Sequence, residues 1–336
     1  MSTISEIAEY LGLSKSTVSR ALRGVPGIAQ TTVAAVRARA SEIGYIPSVA
    51  AAGLSTGRNH AIAVVMPSVM RWYYTAVLTG IDSALADSGY DVVLFDLSRN
   101  SARADHRYFH RALLRKRVDA VIVLSTAFTP EEWLQFDNLG IPVVAVGAPT
   151  PGMRRIGLDD YEVGRAVTQV MVDLGHTRIG LIGGLDAEGM NDIGANDRER
   201  GFLDVLNESR ILARDNWIIS GGYRLGLTKL AVSRLLDAND IPTALVCASD
   251  EMAIGAMYAI QSRGLRVGND LSVIGIDGHE YAEAFDLSTL VQDPVAQGAQ
   301  AATQMVAEIN GLEPARDFPP ATWELVLRAS TGPAPA

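Results

Sequence analysis

The sequence predicts a small all-α headpiece with a helix-turn-helix layout, followed by an α/β body of two doubly wound parallel-sheet subdomains. Three observations carry that prediction. Residues 3–43 hold apolar positions at helical spacing between cap residues. From Ala61 onward, continuous apolar runs alternate with helical stretches. Charge divides unevenly between the two parts.

Thr3 and Glu6 form a capping box, and Ile4, Ile7, Ala8 and Leu11 recur at i, i+3, i+4 and i+7 to give the first helix one apolar face. Gly12 ends it. Ser14 is a suitable N-cap for a second helix on which Val18 and Leu22 face inward, while Lys15, Ser16, Ser19, Arg20 and Arg23 project from the other side. A third helix is expected from Thr31 to Ile43, with Val33, Val36, Ala40 and Ile43 on one face, completing a three-helix core. This is the layout of a DNA-reading helix-turn-helix, since arginine pairs with guanine edges while serine and lysine hold phosphate. Pro47 then blocks helix continuation, and Ser48 can cap a short Ala-rich turn that leaves Leu54 exposed beside Gly57 and Arg58. An apolar side chain so placed can be a wedge between base steps in the minor groove. The candidate DNA-binding set is Thr3, Ser14, Lys15, Ser16, Thr17, Ser19, Arg20, Arg23, Ala51 and Leu54.

In the body, strands are expected at Ala61–Met66, Asp91–Phe95, Ala120–Leu124, Pro142–Val146, Ile179–Ile182, Ala244–Val246 and Ser272–Ile276. Helical stretches such as Ala76–Asp87 and Glu251–Arg263 separate them. Runs of Val, Ile and Leu with intervening helices indicate parallel sheets covered on both faces, and ligands bind such sheets at the carboxyl ends of strands. A cleft between two such halves is the natural pocket. Asp250 reads as the N-cap of the helix from Glu251, and Cys247, within an apolar run, as a buried small hydrophobe.

The stretches "TISEIAEYLGLSKSTVSRAL", "GYIPSVAAAGL", "DLGHTRIGLIGG", "RERGF", "ASDEMAIGAM", "LSVIGIDG" and "ELVLRASTG" resemble the lactose/galactose-repressor (LacI/GalR) family of bacterial transcription regulators. They run from residue 3 to residue 332, essentially the whole chain. The resemblance implies a body like the periplasmic sugar-binding proteins and divides the chain into a DNA-binding domain 1–46, a hinge 47–58 and an effector-binding and dimerisation domain 59–336. Within the last, one subdomain spans about 59–157 plus 289–320, the other about 158–288 plus 321–332.

It further implies that Tyr73 and Tyr74, just after the first strand, stack on an effector ring with Tyr223 opposite. Arg198, three residues before Gly201, would hold hydroxyls or a carboxylate, and Asp277 would accept from ligand hydroxyls. Ser125, Asp159 and Ser249, at strand ends, join this effector-binding set. The implied partners are palindromic double-stranded operator DNA, a small-molecule effector of the sugar class, and a second copy of the chain in a homodimer.

The sequence departs from relatives that bind purines, which place another arginine before the one matched by Arg198; here residues 185–192 form an acidic, carbonyl-rich loop better suited to a polyhydroxylated sugar. A nucleoside or purine corepressor is the alternative effector. Gly53 stands beside the hinge leucine where other members carry a polar or basic residue, and Lys15 and Ser16 occupy the most variable positions of the recognition helix. The operator cannot be borrowed from a relative.

Net charge is −9 over 336 residues. Residues 1–60 carry Lys15, Arg20, Arg23, Arg37, Arg39 and Arg58 against Glu6, Glu9 and Glu42, a net +3 that leaves −12 for the remainder. A basic headpiece on an acidic body directs nucleic acid to one end. One cysteine forms no internal disulfide, no apolar run reaches membrane-spanning length, and no signal-peptide pattern precedes Thr3; a cytoplasmic protein is expected, not a transport-type sugar-binding protein. Gly53-Leu54-Ser55-Thr56-Gly57 matches the serine-hydrolase pattern G-x-S-x-G but lacks the strand before and helix after that a nucleophile elbow needs. His60, His106, His110, His176 and His279 lie at no metal-ligand spacing, and His176 reads as structural. No enzyme activity, metal or cofactor is expected. The tail from Thr331 has no leucine heptad, which favours a dimer over a higher oligomer.

Overall fold

In the computed structural model the described residues are 3–22, 24–45, 57–97, 117–126, 140–149, 152–184 and 193–335. The chain divides into two compact units, Met1–His60 and Ala61–Ala336.

The described residues of the smaller unit form three helices, α1 (Ile4–Leu11), α2 (Lys15–Leu22) and α3 (Gln30–Glu42). Thr3 caps α1 by accepting from the Glu6 N–H, and Gly12 ends it in the left-handed region at φ 61°. The Thr17 N–H donates to Ser14 Oγ at 3.1 Å, so α2 carries the cap read from its sequence. The core comprises Ile7, Ala8, Val18, Ala21, Val36 and Ala40, with Ile4, Leu11, Leu22, Val33 and Ile43 packed around it. Ala21 is the one core position the pattern of apolar spacing passed over, because alanine is small enough to be neutral on either face. The Arg39 guanidinium lies 3.8 Å over the Tyr10 ring and pairs with Glu42 at 2.7 Å, tying α3 to α1 from outside.

The described residues of the larger unit form two sheets. In the first, β1 (Ala61–Met66), β2 (Asp91–Asp96), β3 (Ala120–Leu124), β4 (Val143–Val146) and β5 (Arg155–Ile156) are all parallel, in the order β2-β1-β3-β4-β5. The second has the order β11-β10-β9-β8-β6-β7, from β6 (Ile179–Gly183), β7 (Ile218–Ser220), β8 (Ala244–Cys247), β9 (Ser272–Asp277), β10 (Ser288–Gln292) and β11 (Trp323–Val326). Only β11 runs antiparallel. All seven expected strands are present within a residue or two. The four additional ones, β5, β7, β10 and β11, are short or carry polar residues, so they lack the continuous apolar signature of the rest.

Helices α4 (Trp72–Leu85), α5 (Asp160–Asp173), α6 (Ile193–Glu208), α7 (Leu225–Leu236), α8 (Asp250–Gln261) and α9 (Pro294–Ile309) cover the sheets. The first of these starts four residues earlier than its apolar periodicity suggests. Trp72, Tyr73 and Tyr74 are weak helix formers and Arg71, at the N-cap, makes no side-chain capping bond, so the helix start carries no local signal. The chain crosses between sheets after Gln292: β10 pairs in parallel with β9 in the second sheet, and α9 then packs on α4 against the first. The subdomain change expected at residue 289 therefore falls about four residues later.

At the α4–α9 crossing, a Cβ on Gly80 would meet the Val295 carbonyl oxygen at 1.9 Å and one on Gly298 would meet that of Val77 at 2.1 Å. Both contacts are backbone and cannot yield. Gly298→Val is expected to lower stability by about 2–3 kcal/mol through overpacking, read as a fall in the urea midpoint with unchanged slope; an unaltered midpoint would mean the helices separate freely.

Candidate functional site

Two surfaces hold the chemistry. On the headpiece, Ser14, Lys15, Ser16 and Arg20 are exposed along α2, with Thr17 and Ser19 half-buried beside them. Ser14 Oγ lies 2.7 Å from Ser16 Oγ and 2.8 Å from Thr17 Oγ1, so one hydroxyl organises the first turn of the helix. An Arg20 Nη donates to the Pro26 carbonyl at 3.2 Å, which directs the guanidinium along the turn after α2. Thr3 is exposed, its hydroxyl engaged as the α1 cap at 3.4 Å. Arg23, Ala51 and Leu54, Gly53 and most of the 47–58 hinge lie outside the described residues, as does the acidic loop 185–192.

In the body a cleft of about 570 Å³, counted with its open mouth, lies at the carboxyl ends of strands from both sheets. Tyr73, Tyr74, Ser125, Arg198, Tyr223, Ser249 and Asp277 all line it, which is seven of the eight expected effector residues. Arg71, Gly147, Ala148, Leu158, Asp160, Glu251 and Gln292 complete the wall. Asp159 does not reach it. Its carboxylate caps α5, accepting from the Tyr161 and Glu162 N–H groups, each at 3.2 Å, and the next residue, Asp160, faces the cleft instead.

Arg198 is held on two sides: its Nε donates to Asp160 Oδ1 at 2.9 Å and an Nη to the Ala248 carbonyl at 2.5 Å. A second guanidinium, of Arg155, stands 3.8 Å from Asp160. The close α5–α6 approach that creates this pairing depends on Gly201, where a Cβ would meet the Tyr161 carbonyl oxygen at 2.3 Å. That explains physically why an Arg-x-x-Gly spacing belongs to the site.

Asp277 closes the floor. It is 8% exposed, sits at φ 124°, and accepts from Gln292 Nε2 at 2.7 Å. Burial pushes its carboxyl up to about 7, against the opposing pull of Arg198. Ser125 at φ 39° and Tyr223 at φ 51° are further non-glycine residues in the left-handed region, so three strained backbone positions meet at this one cleft. The Tyr223 ring occupies space that a Cβ on Gly184 would fill.

Because the folded state holds Asp277 protonated above the usual carboxylate range, it binds more protons than the unfolded chain between about pH 4 and 7. Its stabilising contribution is present below that window and is lost as pH rises through it. Asp277→Asn is therefore expected to gain stability over the wild type at pH 8, with the gain shrinking toward pH 5, in urea unfolding followed across pH. A constant difference would place the titration on another group.

The first turn of α4 reaches across the cleft. Arg71 lies 4.8 Å over the Tyr223 ring and 5.9 Å over that of Tyr74, and Trp72 stacks on His279 with ring centroids 4.9 Å apart. Burial raises the Glu251 carboxyl, and the Trp72 N–H that it accepts lowers it again.

Asp250 is not the cap expected of it. Ser249 caps α8 by accepting from the Met252 N–H at 3.3 Å, while Asp250 is fully buried and accepts from Thr289 Oγ1 and the His279 N–H, both at 2.7 Å. Its carboxyl is driven up by burial first and by Asp277 next. Cys247 is buried and its thiol is pushed up by that burial, consistent with a packing role. His176 is buried between Thr243 Oγ1 at 2.9 Å and the Gly332 carbonyl at 3.0 Å.

The cleft thus offers aromatic walls, a paired guanidinium and several carboxylate and hydroxyl oxygens, the donor and acceptor set for a compact polar ring. Among the described residues no group of three or more His, Cys, Asp or Glu could hold a metal ion.

Residues 3–48 match the model for bacterial regulatory proteins of the lacI family, and residues 168–331 match that for a periplasmic binding protein-like domain. The HTH-type transcriptional repressor PurR of Pectobacterium carotovorum subsp. carotovorum (strain PC1) is 30% identical over 313 residues, covering 92% of this chain and 90% of that protein. Catabolite control protein A of Priestia megaterium is 28% identical over 300 residues, 89% of this chain and 87% of its own. Among solved structures, the Lac repressor dimer bound to operator and the anti-inducer ONPF superposes with a TM-score of 0.84 at 25% identity, covering 98% of this chain and 99% of that one. The transcriptional regulator CelR–cellobiose complex gives 0.70 at 25% identity over 98% and 100%.

Proposed function

From the premise that the chain belongs to the lacI family of bacterial regulatory proteins and is a DNA-binding transcriptional regulator, we propose that it represses a carbohydrate-utilisation operon and leaves its operator when a sugar fills the cleft. The observation that carries the effector half is the convergence of Arg198, Asp160, Asp277 and the three tyrosines on one cleft. An apolar sugar face buries against tyrosine rings, while Asp277 and Glu251 accept from hydroxyls. Arg198 has an internal carboxylate, so an anionic ligand would have to compete with Asp160. The cellobiose named in one similar structure is a ligand of this class.

A purine corepressor is the second reading, favoured by the PurR proteins among the relatives. The two differ in sign, because a sugar inducer releases DNA and a corepressor strengthens its binding.

The DNA half rests on Lys15, Ser16, Ser19 and Arg20 along one side of α2. In this reading a homodimer sets two headpieces into successive major grooves of a near-palindromic operator, and paired Leu54 side chains wedge into its central minor groove. Leu54→Ala is expected to weaken specific binding far more than non-specific binding; an unchanged ratio would remove the wedge. The exposed apolar residues Leu225, Leu227 and Leu230 of α7, Tyr258 of α8, and Tyr281 and Phe285 beyond β9 supply surface for a second copy. Among the described residues no helix is long and apolar enough to cross a membrane.

The deciding experiment is retention of genomic DNA fragments by the purified protein at about 150 mM salt, a concentration at which phosphate contacts alone bind weakly, followed by sequencing. Palindromes beside transporter or glycosidase genes, lost on adding the matching sugar, are expected. Fragments retained only when a purine is added would replace the sugar inducer with a corepressor.

A further inference from the structure

Gln292, at the end of β10, and Gln297, on the first turns of α9, flank the crossover between the two sheets, and each side-chain amide is hydrogen-bonded at both ends. Gln292 Nε2 donates to Asp277 Oδ1 at 2.7 Å, and Gln297 Nε2 donates to Gln292 Oε1 at 2.9 Å. The Tyr73 hydroxyl donates to Gln297 Oε1 at 2.9 Å. These are three bonds in one direction, from a phenol on α4 beside the first sheet to a carboxylate at the end of β9 in the second. Both glutamines are buried. A primary amide carries its donor and acceptor on different atoms, so the orientation of one fixes the orientation of the next. In a dry site an end left unpaired is costly, and the chain is therefore set as a whole.

We propose that this relay couples the two halves of the cleft, with Gln292 and Gln297 as positioning residues that make the setting of Tyr73 depend on what Asp277 Oδ1 offers. The proposal rests on the cleft being the effector site for its biological meaning, though its geometry does not. A proton on Oδ1 turns that atom from acceptor to donor, and a ligand donor that draws the carboxylate away takes the acceptor from Gln292 altogether. If the Gln292 amide turns to present Oε1 to the acid, its Nε2 faces the Gln297 Nε2, donor against donor. Gln297 must then turn as well, and Tyr73 loses its acceptor. The Tyr73 hydroxyl has little room to find another, since it lies 2.9 Å from where a Cβ on Gly147 would stand.

The charges around Asp277 suit such a switch. Arg198 from α6 favours its ionised form, while Asp160 from α5, with Glu251 and Asp250 from α8, opposes it. Burial dominates and brings the carboxyl to about 7, so both states are accessible near neutrality. Burial also holds the Tyr73 phenol well above its ordinary range, so it stays a donor throughout.

The test is carbon NMR of the full-length, ligand-free protein labelled at the tyrosine ζ carbon and the aspartate carboxyl carbon, titrated from about pH 5.5 to 8.5 around the near-neutral midpoint that burial gives such a carboxyl. The ten tyrosines are assigned by single Tyr→Phe substitutions. The Tyr73 signal is expected to shift with one midpoint, the same as that of the Asp277 carboxyl, and to stop shifting in Asp277→Asn. In Gln292→Met and Gln297→Met the Asp277 carboxyl still titrates while the Tyr73 shift is lost. Tyr223, which lines the same cleft off the relay, keeps its wild-type behaviour. A Tyr73 signal that stays fixed in the wild type overturns the proposal. So does one that still follows Asp277 in both methionine variants, since that would be the field of the charge and not the bonds. Should those variants fail to fold, Tyr223 decides in the wild type: a Tyr223 signal that shifts with the Asp277 midpoint as strongly as that of Tyr73 would be the field of the charge and overturn the proposal, while a shift confined to Tyr73 and lost in Asp277→Asn upholds it. No effector is added, so failure of the sugar reading would show elsewhere, as DNA release that ignores every sugar.

Discussion

Replacing Arg198 with Leu is expected to leave operator affinity intact while raising the effector concentration needed for release about a hundredfold, equivalent to about 2.7 kcal/mol. The guanidinium has a fixed fork, with one arm committed to Asp160 at 2.9 Å and another to the Ala248 carbonyl at 2.5 Å, so it stands preorganised at the cleft wall. Lysine is not a substitute, because a single ammonium cannot satisfy both partners and still face a ligand. Arg198→Leu takes from Asp160, whose side chain is 5% exposed, the guanidinium at 2.9 Å and leaves that of Arg155 at 3.8 Å. A buried charge left without its close partner costs about 3–5 kcal/mol. Reduced stability should therefore accompany the lost response, and Asp160→Asn in the same chain should restore much of the stability without restoring the response. Fluorescence anisotropy on labelled operator separates the two effects. If release by effector were unchanged, the ligand site would lie elsewhere.

The headpiece was legible because its signals are local. Thr3, Gly12 and Ser14 cap or end helices within a few residues of where they stand, and apolar spacing identified Ile7, Ala8, Val18, Val36 and Ala40 as core. The buried strands of the body were legible for a similar reason, since β1, β3 and β8 are unbroken apolar runs. Polar strands were not. Ser288, Thr289 and Gln292 of β10 are buried through hydrogen bonds with partners far along the chain, such as Ser288 Oγ with the Arg328 carbonyl, and no spacing rule reports such partners.

The cleft residues came from resemblance, and their weak points were physical. Asp159 and Asp160 are adjacent acids, one turned out to cap a helix and one turned in to hold an arginine, and neighbouring positions on a helix start cannot be told apart by sequence. Ser249 and Asp250 pose the same problem with the same outcome, the first capping its helix and the second buried among hydrogen-bond donors. The glutamine pair at the crossover gave no signal at all, because an amide has no preferred partner until the fold supplies one.

Replacing Arg20 with Ala is expected to weaken operator binding by about 1–3 kcal/mol, relax specificity at one base position, and leave effector affinity unaltered. The residue is exposed on α2 while its neighbours Val18 and Ala21 are buried, so the helix keeps its packing when the side chain is shortened. Alanine is also a better helix former than arginine, which argues against a stability explanation for any loss. The guanidinium is already directed by its bond to the Pro26 carbonyl, so little freedom remains to be lost on docking. Lys15 offers the contrast. As a flexible point charge at the start of the same helix, its replacement should weaken binding to all sequences alike and reduce the salt slope by about one. Measuring both variants against operator and random duplex across salt distinguishes reading from anchoring. If Arg20→Ala lost specific and random binding equally, base readout would pass to the other residues on that face, Ser16 and Ser19. If it lost effector affinity in the same proportion, the division of labour between headpiece and body would itself be wrong, because reciprocal coupling through DNA cannot act when no DNA is present.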